Sequence, residues 1–254
     1  MDRRHQHHFH ASWFTLLRAL TLAAFMAAAA PALPQAGGAQ AQMTRGDAAM
    51  KAKDYVQALD AYQKAAAIDP SLARAQYQIG WIYNVQKQYA QAVPALREAQ
   101  RLKASDDNTV AELAYSYRSL KQYQDALAAS LEVVRIKPGR AKGHYWAGWT
   151  YNELKQYGNA LPYLREPLRL KADDANSASE LGFAYNSLKQ YAEAAAAYEQ
   201  ALQAKPENVI ALRRLGTTYL AMGRKADAVQ IAAKLQNIDK DRAQSLNAEI
   251  SKAK

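Results

Sequence analysis

Residues 80–89, Gly-Trp-Ile-Tyr-Asn-Val-Gln-Lys-Gln-Tyr, return in edited form at 114–123, 148–157 and 182–191, each copy 34 residues after the last. A fixed period of this length restricts the chain to an architecture of stacked supersecondary units, because one unit alone cannot bury its apolar face. Counted outward from that stretch, six units fall at 39–72, 73–106, 107–140, 141–174, 175–208 and 209–242 without an insertion. Numbering each unit from 1 makes its internal pattern readable.

Position 8 reads Gly46, Gly80, Ala114, Gly148, Gly182, Gly216, and position 20 reads Ala58, Ala92, Ala126, Ala160, Ala194, Ala228. Helices approach closely only where the crossing side chains are small, so these two positions mark where two helices of one unit meet. Tyrosines at position 11 (Tyr83, Tyr117, Tyr151, Tyr185, Tyr219) and position 17 (Tyr55, Tyr89, Tyr123, Tyr157, Tyr191) fill the space beside that crossing. Apolar residues at 7, 8 and 11, then at 20, 21, 24 and 28, follow helical spacing. Each unit therefore reads as a helix A, a turn near Lys-Gln-Tyr and a helix B, and the predicted fold is an all-α solenoid of six units.

Breaks between units carry Pro70, Pro138 and Pro206 at position 32, where the ring ends a helix. Where proline is missing, Ser105-Asp106-Asp107-Asn108 and Asp173-Asp174-Ala175-Asn176 are expected to cap the next helix. Pro94 and Pro162 at position 22 are expected to be tolerated as early helical residues, whereas Pro167 at position 27 predicts a kink or early end of its helix. Residues 243–254, with Ala243, Leu246, Asn247 and Ile250 at helical spacing, predict a short closing helix over the last exposed face.

Gly at 8, Tyr at 11, Ala at 20, an aromatic or Leu at 24, Ala at 27 and Pro at 32 together resemble the tetratricopeptide repeat, and the resemblance spans nearly all of residues 42–242. The terminal units depart from it, with Arg45 and Ala49 in the first and Gly223-Arg224-Lys225 in the sixth. The resemblance implies a concave groove lined by helix A positions 5, 9 and 12. In this sequence those positions supply Tyr77, Trp81, Asn84, Tyr115, Arg118, Tyr145, Trp149, Asn152, Phe183 and Asn186. Two readings of these residues stand side by side. The aromatics pack between neighbouring A helices, or they anchor a partner whose extended backbone the asparagine amides bind. The carboxylate clamp of some family members is not reproduced, since position 9 is aromatic and position 6 includes Glu112 and Glu180, leaving Arg74, Lys142, Arg213 and Arg214 as isolated cations.

Residues 1–41 differ in kind from the repeats. Arg3, Arg4 and Arg18, an apolar segment over 19–30 and Ala39-Gln40-Ala41 read as a secretory signal peptide cleaved after Ala41. The alternative is a membrane anchor, for which the apolar segment falls short of the about 20 residues a span needs. The expected location is thus periplasmic or secreted. Net charge is +10, and +8 once the three Arg and one Asp of residues 1–41 are removed. That balance suits acidic partners of the cell envelope and makes nucleic acid an improbable one in that compartment.

The chain has no cysteine, and His144 is its one histidine beyond residue 41, so neither a thiolate nor a multi-histidine metal site is available. No phosphate loop, nucleophile elbow or zinc-protease pair is present, and Asp239-Lys240-Asp241 lacks the glycine and glutamate of a calcium loop. The expectation is a non-catalytic interaction scaffold or adaptor without cofactor or metal, binding a protein or peptide of the envelope in its helix A groove. A self-associating repeat protein and an envelope glycan-binding module are the alternatives.

Overall fold

The computed structural model describes residues 33–103 and 105–253. Among them are thirteen helices and no strand. Five helix pairs follow the 34-residue frame: α1 (Leu33–Lys51) with α2 (Tyr55–Ile68), α3 (Ala73–Val85) with α4 (Tyr89–Leu102), α5 (Asp107–Ser119) with α6 (Tyr123–Ile136), α7 (Ala141–Glu153) with α8 (Tyr157–Leu170), and α9 (Ala175–Ser187) with α10 (Tyr191–Ala204). A sixth pair, α11 (Val209–Ala221) and α12 (Lys225–Gln236), is followed by α13 (Lys240–Lys252). Each helix packs on its successor, and the A helices α3, α5, α7, α9 and α11 also pack on one another. The chain is an all-α solenoid with the A helices on its inner face.

Within a unit the crossing is as close as its small residues allow. A Cβ added at Gly80 would stand 2.7 Å from Leu96 Cδ2, and one at Gly148 would stand 2.7 Å from Leu164 Cδ2. Leu96 and Leu164 are fully buried, and each contributes about 1.5–3 kcal/mol of apolar burial. In the third unit the glycine is replaced by Ala114 and the large residue at position 24 by Ser130, so the added methyl meets a small side chain.

The turn between helices A and B uses a left-handed residue. Lys53, Lys87, Lys121, Lys155 and Lys189 all have φ near +60°, and Gly223 takes the same place in the sixth unit at φ 73°. The following amide reaches back to close the helix, as Gln88 N does to Tyr83 O at 2.8 Å and Gln122 N to Tyr117 O at 2.9 Å. Five helix starts are capped by carboxylate or amide oxygens: Asp54 accepts from Gln57 N, Asp106 from Thr109 N, Asp174 from Asn176 N and Ser177 N, Asn208 from Ala211 N, and Asp239 from Arg242 N. Asp107 does something else, since it pairs with Arg140, the last residue of its own unit and the one that precedes α7.

Both proline expectations need correction. Helix α8 runs through Pro167 to Leu170 and does not break there. Pro167 is buried, and its carbonyl accepts from Lys171 N at 2.7 Å. Packing of the apolar face holds the last turn although one amide bond is missing. Pro94 and Pro162 are each the sixth residue of their helices, beyond the first turn, so their lost hydrogen bonds are real. They sit on exposed positions, as do Ala90 and Gly158 four residues earlier, where water can take the freed carbonyls.

Residues 1–32 of the expected signal peptide lie outside the described residues. Ala39-Gln40-Ala41 lies inside α1, where Ala39 is 2% exposed and Met43, 3% exposed, joins the core of the first unit. Cleavage after Ala41 therefore removes more of this helix than its opening turn. At the other end α13 buries Ala243, Leu246 and Ile250, with Asn247 exposed, and lies against α11 and α12.

Candidate functional site

Two tyrosine positions tie successive units together. The position 17 ring meets the position 9 ring of the next A helix edge to face: Tyr55 with Trp81 at 6.0 Å, Tyr89 with Tyr115 at 5.7 Å, Tyr123 with Trp149 at 6.0 Å and Tyr157 with Phe183 at 5.9 Å between centroids. The position 11 hydroxyl reaches helix B of the preceding unit. Tyr83 accepts from Gln63 Nε2 at 3.2 Å, Tyr117 from Arg97 Nε at 2.5 Å and Tyr185 from Arg165, while Tyr219 donates to Glu199 at 2.5 Å. Tyr151 has Leu131 at the matching place and packs on Tyr163 instead, 5.4 Å between centroids.

Asparagines at position 12 are engaged between A helices. Asn84 Nδ2 donates to Glu112 O at 3.2 Å and to Glu112 Oε2 at 2.8 Å, and its Oδ1 accepts from Ser116 Oγ at 2.7 Å. Asn152 repeats the first two bonds with Glu180 at 3.1 and 3.0 Å, and Asn186 accepts from Thr218 Oγ1 at 3.2 Å. Asn84 is 4% and Asn152 3% exposed. These two amides hold neighbouring units in register, which corrects the expectation that they present themselves to a ligand backbone: their donors are already used.

The remaining residues divide into a pocket and a stack. A pocket of ≈ 270 Å³ opens between α3, α5 and α7, lined by Trp81, Asn84, Val85, Lys87, Glu112, Tyr115, Lys142 and Trp146. Tyr115 and Trp146 are shared with Arg118, whose guanidinium carbon lies 5.7 Å from the Tyr115 centroid, 5.5 Å from Trp146 and 5.2 Å from Trp149. Burial lowers the Arg118 pKa from its ordinary value. Lys142 Nζ stands 4.6 Å over Trp146. Trp81, Tyr115 and Trp149 are therefore part-buried by packing, and the first two line the pocket.

Tyr77 lines a second, smaller recess of ≈ 220 Å³ with Arg74, Asp106 and Asn108. Tyr145 is drawn into the packing of the second half, where burial pushes its hydroxyl pKa up to about 12. Phe183 lies beneath Arg214, 4.4 Å from guanidinium carbon to centroid, and Arg214 faces Glu180 at 3.8 Å. Burial raises the Glu180 pKa against the lowering effect of Asn152 and Arg214.

Sequence reading missed Trp146, Lys87 and Val85, and it left Lys142 as an isolated cation. Trp146 stands at position 6, one helical turn from position 2, where the other units carry Thr44, Gln78, Glu112, Glu180 and Arg214. A lone indole in a polar column was the available signal. His144 Nε2 lies 2.7 Å from Pro138 O, a local contact at the start of α7. Among the described residues no cluster of three His, Cys, Asp or Glu side chains is placed to hold a metal, and no helix is long and apolar enough to cross a membrane.

Paired helices in a 34-residue frame, with a pocket between three of the A helices, define a repeat scaffold of the α-solenoid class. Models of the tetratricopeptide repeat match residues 39–72, 73–106, 141–174 and 185–250, together more than half of the chain. The chain belongs to the tetratricopeptide repeat family. A tetratricopeptide repeat protein from Parabacteroides merdae superposes with a TM-score of 0.69 at 16% identity, covering 85% of this chain and 87% of that one. PilF of Pseudomonas aeruginosa gives 0.67 at 19% identity over 85% of this chain and 99% of its own. YrrB, described as a TPR protein with an unusual peptide-binding site, gives 0.66 at 19% over 75% and 98%. At these identities the likeness is one of fold. No curated protein matches the sequence.

Proposed function

We propose that the chain is a non-catalytic adaptor of the cell envelope that holds an extended segment of another protein along its A helices. Tetratricopeptide arrays generally mediate protein–protein contact, and the peptide-binding site named for YrrB suits the same reading. The observation that carries it is the ≈ 270 Å³ pocket walled by Trp81, Tyr115 and Trp146 and rimmed by Lys87 and Lys142. Part-buried Trp81 and Tyr115, backed by the buried Trp146, offer contact area at little entropic cost, the kind of anchor on which interfaces concentrate their energy. Placement in the envelope rests on the leader pattern of residues 1–41 alone.

The test is capture of partners from envelope extract by the parent chain beside a Trp81→Ala, Trp149→Ala variant. Because both indoles pack on tyrosines of the preceding helix, the variant must first show parent-like helicity. A partner held by the parent and lost by the folded variant supports the groove. Equal retention moves the contact to the B helices or the ends of the stack. Capture of envelope glycan, or of further copies of the chain, favours the two alternatives.

A further inference from the structure

Apart from the exposed Arg45, each described arginine other than Arg118 meets a carboxylate or a phenol oxygen. Arg118 is part-buried, enclosed by Tyr115, Trp146 and Trp149, and has no hydrogen-bond acceptor among the described residues. Ring stacking engages the face of a guanidinium and leaves its N–H donors, which lie in the plane, to seek oxygen. The Arg118 nitrogens keep contact with solvent, so an anion in the groove can reach them, and a part-desolvated cation gains from such a partner.

The surroundings repeat the sign. Lys87 and Lys142 rim the adjoining pocket and form no ion pair among the described residues. The one carboxylate in that wall, Glu112, accepts from Asn84 Nδ2. At the equivalent place two units later Arg214 stands where Trp146 does, with Glu180 as an ion-pair partner at 3.8 Å. Arg118 has no such carboxylate beside it among the described residues.

Building on the adaptor reading above, we propose that the groove takes an acidic segment of its partner and seats one of its side-chain carboxylates on Arg118. The aromatic walls exclude water around the pair and so strengthen it, while the apolar faces of the same segment lie on Trp81 and Tyr115. Acidic side chains are what the charge of the pocket selects, and basic segments are repelled by the same cations.

The probe is an acetylated, amidated peptide of about ten residues alternating Glu and Leu, long enough to cross the groove. Its Gln–Leu isostere is run in parallel, and binding is read from tryptophan fluorescence, since Trp146 and Trp149 touch Arg118. The Glu peptide is expected to bind about tenfold tighter than the Gln peptide, as a charge-assisted pair would give. That advantage should shrink as salt rises from about 50 to about 300 mM. It should vanish in Arg118→Gln and persist in Arg135→Gln, which removes an exposed guanidinium of helix α6. The comparison of the two peptides on the parent chain needs no variant to fold. Equal affinity for both peptides overturns the acidic anchor and leaves the groove standing. Binding that survives Trp81→Ala, Trp149→Ala overturns the groove itself. No response to the Glu peptide, a loss as large in Arg135→Gln as in Arg118→Gln, or binding of oligogalacturonate in its place each overturns the proposal.

Discussion

Five lysines stand in a backbone conformation that disfavours side chains, and the sixth unit shows the relaxed alternative in Gly223. The left-handed region costs an ordinary residue about 1–2 kcal/mol, and the greater freedom of glycine in the unfolded chain takes back about 0.4–1 kcal/mol. Lys121→Gly is therefore expected to stabilise the chain by about 0.5–1 kcal/mol in denaturant unfolding. A second residue-scale effect lies at Asn152, whose Oδ1 is buried with no partner. The matching oxygen of Asn84 is met by Ser116, and the place of Ser116 is taken in the fifth unit by Ala184. Ala184→Ser should supply that donor and raise stability by about 1 kcal/mol, an increment that should disappear when Asn152 is also replaced by Ala. Neither feature was legible in the sequence. Lysine carries no turn signature, and a periodic asparagine on a helix face reads equally well as a ligand-binding group or as an amide satisfied inside the fold.

At the scale of the element, the pairs of helices were legible because close packing leaves only glycine or alanine at two fixed positions in every unit. What the pattern concealed was how much local disfavour an element can absorb once its face is buried. Helix α8 carries Pro162 and Pro167 and still spans Tyr157–Leu170. The equivalent of Pro167 is Ala65, Ala99, Val133, Ala201 or Leu235 elsewhere, all buried. Pro167→Ala should then restore the amide bond to Tyr163 O and stabilise the chain by about 1–3 kcal/mol, read from the urea midpoint with an unchanged slope. A midpoint that does not move would mean that packing around the ring already offsets the lost bond.

Across the whole molecule, stability is divided among seams between units, and phenol groups sit in most of them. Burial raises the Tyr145 and Tyr219 pKa values from the ordinary 10.0 to about 12 and raises those of Tyr62 and Tyr198 as well. Folding favours the neutral phenol, so this contribution is whole below the unfolded value of about 10 and is lost as pH rises through about 12. The unfolding midpoint should fall across that interval, and Tyr145→Phe, which keeps the ring and drops the titration, should flatten the fall. The stripe of rings marked two walls of the pocket, Trp81 and Tyr115, yet the pocket is completed by Trp146 and Lys142, which belong to a neighbouring column of the helix. A stripe of three positions describes a line, whereas a cleft between three helices gathers residues from two such lines.

The junction between the third and fourth units is built unlike the others. It has no tyrosine hydroxyl bond, since Leu131 faces Tyr151, and no asparagine bridge, since Arg118 stands at that place. The stack of Arg118 on Trp146 and Trp149 spans it instead, and Arg140, just before α7, pairs with Asp107 at the start of α5. A ligand gripping the Arg118 guanidinium would act as a rivet, fixing the pitch of the coil in the same step that fills its groove.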